Sequence, residues 1–199
     1  MIIIGYNLLN SRRLGDNLIM KTLLKWSVED YHNMIDAGIL CDRNVELLAG
    51  EVIKMSPESP SHYYTVKQGT KYLETLLTAK ADIRFNGPIT LSESEPEPDI
   101  AIVRLPESIY KDHHPYSEDI FWIIEVAKSS LKKDLELKLS IYAQANIQEY
   151  WVLDLSQKQL IVFRDPKNNI YLSQQIINQG NINPLAFPDI EISVERLLK

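Results

Sequence analysis

Apolar positions recur along this chain at two periods, and the switching between them outlines most of the elements. Ser27-Val28-Glu29-Asp30 has the form of a helix N-terminus, a capping hydroxyl followed by acidic residues in the first turn. Tyr31, Met34 and Ile35, with a stop at Gly38, complete one short amphipathic helix. Val45-Glu46-Leu47-Leu48 and Glu51–Met55 flank Ala49-Gly50, so a two-residue turn joins them as a hairpin. Beyond Pro57 and Pro60, the spacing of Tyr63, Val66, Tyr72, Leu73, Leu76 and Leu77 predicts a helix over His62–Thr78 that packs on one side. Short strands are expected at Asp82–Phe85 and Ile89–Leu91 and a stronger one at Asp99–Val103, followed by a polar loop from Leu105 to Asp119. Ile120–Val126 is apolar on both faces and reads as a buried central strand. Leu135–Ala145 is expected to be helical and Glu149–Leu155 a strand, with Gln159–Phe163 and Ile170–Ile177 an antiparallel C-terminal hairpin. A strand, a helix and a second apolar strand in succession predict a crossover, hence an α/β fold with a mixed β-sheet flanked by helices.

Composition narrows the class. With 199 residues, 45% hydrophobic and 24% charged, the chain has the make-up of one globular domain, which excludes disordered and collagen-like sequences. Residues 1–25, including Arg12, Arg13 and Gly15, lack a sustained period and read as an N-terminal extension to a domain over 26–199, with Met20 an equally good start. No apolar run approaches the roughly 20 residues of a membrane span, and Met1–Ile4 is too short for a signal-peptide core. The expected location is cytoplasmic, with no membrane partner. Cys41 is the single cysteine, so neither an internal disulfide nor a Cys-based zinc site can form. Lys plus Arg is 21 against 27 Asp plus Glu, a net charge of −6, which argues against a protein that grips nucleic acid by bulk positive charge. Phosphate chemistry here has to come from local charge or a bound cation.

The candidate chemistry is acidic. Glu125 lies inside the buried strand, and a carboxylate there needs a cationic partner because its desolvation costs several kcal/mol. Glu93, Glu95, Glu97 and Asp99 alternate with Ser94, Pro96 and Pro98, and the prolines, which remove backbone donors, lead to the expectation that Glu93, Glu95 and Glu97 are solvated. Asp99 opens an apolar strand and is anchored at the sheet, where a surface-loop reading and a site reading stand level. Ala127 shares the face of Glu125, while Lys128 points to the other side as a solvated strand-end charge. Asp134, Lys138 and Tyr142 follow on one helical face. Asp134 and Lys138 alone would be an ordinary ion pair worth a few tenths of a kcal/mol; the functional reading has Lys138 leaning back toward Glu125. His62 is expected to be satisfied locally at a helix start, His113 and His114 to be solvent-exposed, Trp122, Trp151 and Tyr142 to fill the core, and Cys41 to be incidental.

Pro98-Asp99 leading one strand, with Glu125 in the next, resembles the P-D…(D/E)-x-K pattern of the restriction endonuclease-like nucleases. More closely, Val45–Glu51, Met55-Ser56-Pro57 with His62, Ser94–Ala101, Ile124–Ala127 with Ser129-Ser130-Leu131, and Lys138 with Tyr142-Ala143 and Glu149-Tyr150-Trp151 resemble the Uma-two family of endonucleases, in order from about Trp26 to Pro166. That resemblance implies a restriction endonuclease-like core and Mg²⁺, with Mn²⁺ as a substitute, bound by Asp99, Glu125 and a backbone carbonyl near Val126. It implies that Glu46 is an additional acid orienting a ligand water or second metal, and that Lys138, replacing the lysine missing from the strand, acts on the scissile phosphate. DNA is the implied substrate, with a homodimer where both strands are cut. Lys128 departs from the family's usual acidic or small polar residue, and the first 20 residues lie outside its pattern. The alternative class is a nuclease-fold interaction domain without turnover, suggested by the acidic balance and the lack of a DNA-reading motif.

Overall fold

The structure, a computed structural model, describes residues 23–128 and 130–199. Almost all of the expected N-terminal extension, with Met20, lies outside the described residues. Helix α1 (Val28–Asp36) starts at Ser27, whose Oγ accepts the Asp30 amide while the Asp30 carboxylate accepts the Ser27 amide, each at 3.0 Å. Ile35 is exposed, and Tyr31 alone carries the buried face of α1. Strands β1 (Val45–Leu48) and β2 (Glu51–Lys54) pair antiparallel about Ala49-Gly50, both at positive φ, as the two-residue turn requires. Helix α2 (Pro60–Leu76) is capped by Ser59 with Pro60 at its first turn.

A six-stranded sheet forms the centre, in the order β3 (Asp82–Phe85), β4 (Ile100–Val103), β5 (Ile120–Ala127), β6 (Glu149–Asp154), β7 (Gln159–Lys167) and β8 (Ile170–Ile177). Only β5 and β6 are parallel. Their crossover is a continuous helical run of α3 (Leu131–Lys133), a π-helical turn Asp134–Lys138 and α4 (Leu139–Gln144). β9 (Asn181–Ile182) and β10 (Ile192–Ser193) make a small separate pair before α5 (Val194–Leu197). The hairpin expected at the C-terminal side is β7–β8, which extends the main sheet.

Each face of the sheet builds its own core. Val66 and Leu73 of α2 and Leu197 of α5 pack with Ile100, Trp122, Ile124 and Trp151 on one side. Ile141 and Tyr142 of α4 and Leu48 of β1 pack with Ala101, Ile123 and Tyr150 on the other. Gly69 of α2 faces Ile100, where a Cβ would make ordinary van der Waals contact with Cδ1 at 3.5 Å. Among the described residues no helix is long and apolar enough to cross a membrane.

Three expectations are corrected. Ile89–Leu91 is not a strand; Thr90 makes a single bridge to Tyr116, and the three amides go to the carbonyls of Pro96, Pro115 and Ser94. Glu95 is not solvated but buried, because Thr90 Oγ1 (2.8 Å) and His32 Nε2 (2.7 Å) meet its carboxylate while its backbone pairs with Leu47. Of the three glutamates only Glu93 is exposed, and Glu97 is half-buried. The crossover helix begins at Leu131, four residues before the apolar period becomes clear.

Candidate active site

The site sits at one end of the sheet. Ile100 of β4 lies opposite Ile124 of β5, so one step further Asp99 comes level with Glu125. The Val126 amide donates to Asp99 Oδ2 at 2.6 Å and fixes that carboxylate against the strand end. From the α2 side, His62, held at the third helical position by the Ser59 cap, brings Nε2 to 3.2 Å from the same Asp99 Oδ2. From the α4 side, Lys138 Nζ donates to Glu125 Oε1 at 2.7 Å, and the Tyr142 hydroxyl donates to the same oxygen at 2.7 Å. The expectation that Lys138 leans back onto Glu125 is therefore met, and Tyr142 does more than fill the core. Glu46 is wholly buried: its Oε1 takes Lys133 Nζ at 2.9 Å, and its Oε2 takes the Glu97 amide at 3.3 Å and lies 3.6 Å from Lys138 Nζ.

The structure thus brings Glu46, Asp99, Glu125 and Lys138 to a single cavity of about 470 Å³. Six carboxylates and four lysines line it, so acid is in excess. The proton affinities reflect that excess. Burial, the largest influence on Glu125, pushes its carboxyl up against the pull of Lys138, with Asp99 and Asp134 adding to the push. Burial and then Glu46 raise Glu97. Burial raises Asp134, against the pull of Lys138 and a hydrogen bond from the Ser130 side chain. Burial opposes the Lys138 ammonium, but Glu125, Glu46, Asp134 and Asp99 outweigh it and the net shift is upward. Each of these groups favours its protonated form because negative charge is crowded and desolvated, which is the electrostatic setting that also attracts a divalent cation.

Two observations fit a cation more specifically. Asp134 is buried in the cavity wall with Oδ2 lacking any partner among the described residues. Glu58, His62 and Asp99 each offer one ligand atom, and the three atoms lie within 4.8 Å of one another. The hydrogen bond that His62 donates to Asp99 is the largest cause of its raised pKa, with burial opposing and the charges of Asp99 and Glu58 and the Val126 backbone reinforcing. The Val126 backbone, expected near a metal, is therefore beside Asp99 and His62. Lys128 is exposed, as expected, yet it lines the cavity and reaches Ser61 Oγ at 3.1 Å. His113 and His114 lie outside the cavity lining, His114 half-buried rather than exposed. Glu58, Asp134 and Lys133 were not singled out as site residues by the sequence, and His62 was assigned only a local role; the one signal for His62 was its place beside Met55-Ser56-Pro57 in the family pattern.

A mixed sheet with one parallel crossover, acidic residues at the adjoining ends of two strands, and a lysine from the crossover helix is an arrangement of the restriction endonuclease-like class. A solved structure of a "putative nuclease belonging to DUF820" from Anabaena variabilis shares the fold, with a TM-score of 0.61 at 15% identity over 77% of this chain and 89% of that one. Comparison with curated proteins returns no match. The model of the Uma2 (Uma-two) family, described as "Putative restriction endonuclease", matches residues 28–195, and the chain belongs to that family.

Proposed function

We propose that this chain is a divalent-metal-dependent endonuclease that hydrolyses phosphodiester bonds in DNA. The observation that carries the reading is the convergence of Asp99, Glu125 and Lys138 on one acid-rich cavity, reached from both faces of the sheet. Asp99, Glu125 and the Val126 carbonyl would hold the divalent ion, Mg²⁺ or Mn²⁺. The ion, when bound, supplies Lewis-acid polarisation of a phosphate oxygen and a water of lowered pKa. The protein's own contributions follow from its contacts. The Val126 amide orients Asp99. Tyr142 and Lys138 hold Glu125 through one oxygen, leaving Oε2 without a protein hydrogen bond among the described residues. Lys138 offsets the charge that develops on the scissile phosphate, as a compact ammonium already desolvated in the cavity wall. Glu46 keeps that ammonium in place and is itself held by Lys133. The same reading has the protein acting in the cytoplasm, and as a homodimer where both strands of a duplex are cut.

Supercoiled plasmid incubated with purified protein and Mg²⁺ or Mn²⁺ tests the proposal. Asp99→Asn is expected to lower the nicking rate by at least about a hundredfold with an unchanged melting temperature, since Asn retains an oxygen for the Val126 amide. Nicking undiminished in that variant, or none by the wild type with either metal, would overturn the assignment.

A further inference from the structure

We propose that Glu58, His62 and Asp99 form a mixed nitrogen–oxygen cation shell, which makes the bound ion a transition-type metal, Mn²⁺ in preference to Mg²⁺. The proposal rests on the metal-dependent reading above and deepens it by naming the metal class and two further ligands.

The donor set is the first argument. One imidazole nitrogen and two carboxylate oxygens lie within 4.8 Å of one another. Mg²⁺ selects all-oxygen shells and retains water, whereas imidazole nitrogen suits the first-row transition ions. A shell that includes a ring nitrogen of His62 therefore discriminates by ligand chemistry.

The second argument is that the trio is held in place. Glu58 is exposed at the loop before α2, where a free glutamate side chain would sample many rotamers. Instead, Asn86 Nδ2 donates to Glu58 Oε1 at 2.8 Å, while the Asn86 amide donates to the Asp99 carbonyl at 3.1 Å. Asn86 thus ties Glu58 to the strand end that carries Asp99, and does so from a positive φ of 45° that non-glycine residues seldom adopt. Outer partners that orient ligands in this way are a regular part of metal sites. His62 is fixed separately, by the Ser59 cap of α2 and by the packing of that helix on the sheet through Val66 and Leu73.

The third argument comes from Asp134. Its residue exposure is 2%, and it lines the same cavity, Ser130 hydrogen-bonding its carboxylate but Oδ2 having no partner among the described residues. A buried carboxylate oxygen without a donor is costly, and a cation with its water shell in this cavity supplies what is missing.

The test uses the full chain with MnCl₂ and MgCl₂ as the only probes. Calorimetry is expected to show Mn²⁺ bound at least about tenfold more tightly than Mg²⁺. Pulsed electron paramagnetic resonance of bound Mn²⁺ should show ¹⁴N coupling from an imidazole. His62→Ala should abolish that coupling and weaken Mn²⁺ binding by about tenfold or more while changing Mg²⁺ affinity little. Because Glu58 is exposed, Glu58→Gln should fold normally and provides an independent arm, expected to weaken Mn²⁺ binding while leaving the ¹⁴N coupling in place. Equal affinities for the two ions, or bound Mn²⁺ without nitrogen coupling, would overturn the proposal while leaving a metal-dependent nuclease intact. Binding of neither ion would remove both readings together.

Discussion

Replacing Lys138 by Met is expected to reduce metal-dependent nicking by about 10²–10³-fold and to lower the melting temperature by roughly 10 °C. Met matches the length of the lysine stem, so the change removes charge with little change in volume. In the wild type the ammonium is buried, 2.7 Å from Glu125 Oε1 and 3.6 Å from Glu46 Oε2. Taking one member from a buried ionic cluster typically costs about 3–5 kcal/mol, because the remaining charge stays desolvated without its partner. Glu46 still has Lys133 and the Glu97 amide, so the deficit falls mainly on Glu125, which retains only the Tyr142 hydroxyl.

A pH signature separates this account from general damage to the core. Burial already pushes the Glu125 carboxyl above its ordinary value of 4.5, and loss of the lysine removes the main opposing influence. A carboxyl whose folded pKa is raised binds its proton more tightly in the native state than in the unfolded chain. Its contribution is fully present below pH 4.5 and is lost as pH rises toward the folded pKa. The melting-temperature deficit of Lys138→Met relative to wild type should therefore deepen from acid toward neutral pH. A deficit of equal size at every pH would mean that Glu125 is not the group left unpaired. A large deficit with undiminished nicking per folded molecule would make Lys138 structural only.

The second large effect lies away from the cavity. Glu149, at the start of β6, is wholly buried and is satisfied on both oxygens. Oε1 accepts from Trp151 Nε1 at 2.8 Å and from Arg164 Nε and Nη2 at 2.9 and 2.6 Å. Oε2 accepts from the Leu185 amide at 2.7 Å, and Arg164 Nη2 also reaches the Asn183 carbonyl at 2.8 Å. One carboxylate therefore joins β6, β7 and the segment leading to β10. Glu149→Ala should cost about 3–5 kcal/mol in denaturant unfolding, since it strands a largely buried guanidinium, an indole N–H and a backbone amide together. Pairing it with Arg164→Met in a double-mutant cycle should recover part of that loss, because the second change removes the unpaired cation. Strict additivity of the two changes would show that the pair contributes nothing as a unit. Nicking per folded molecule should be unaffected, as Glu149 does not line the cavity.

The regular elements were legible in the sequence because their chemistry is local. The Ser27 cap, the Ala49-Gly50 turn and the apolar-on-both-faces run of β5 each depend on residues a few positions apart. The crossover followed from element order alone. The Glu125–Lys138 contact was also within reach, since it needed only the strand face and the backward lean of helical side chains. Glu95 was misread because its partners, His32 and Thr90, come from a helix and a loop whose approach no periodicity encodes. Ile89–Leu91 failed for a related reason: an apolar, β-branched stretch can spend its amides on turn carbonyls as readily as on a neighbouring strand. His62 and Glu58 reach Asp99 only through the packing of α2 on the sheet, which no local pattern encodes. Asp134 has the spacing of half of an ordinary helical ion pair, and its burial is set by tertiary packing that spacing does not encode.

The π-helical turn between β5 and β6 places the lysine by counting residues. In Asp134–Lys138 the Leu139 amide reaches back to the Asp134 carbonyl, one residue further than in an α-helix, and the Tyr150 hydroxyl supports that carbonyl at 3.2 Å. The turn holds one residue more than regular winding would need. Deleting one residue from Leu135–Leu137 would let the turn close as α, with the helix on either side keeping its phase. Inserting one residue there would instead turn Lys138 and Tyr142 together by about 100°, away from Glu125 Oε1. The phase of the crossover helix is thus as much a part of the site as the two side chains. A lysine can leave the strand and still serve the same carboxylate, provided that the helix carrying it keeps its phase.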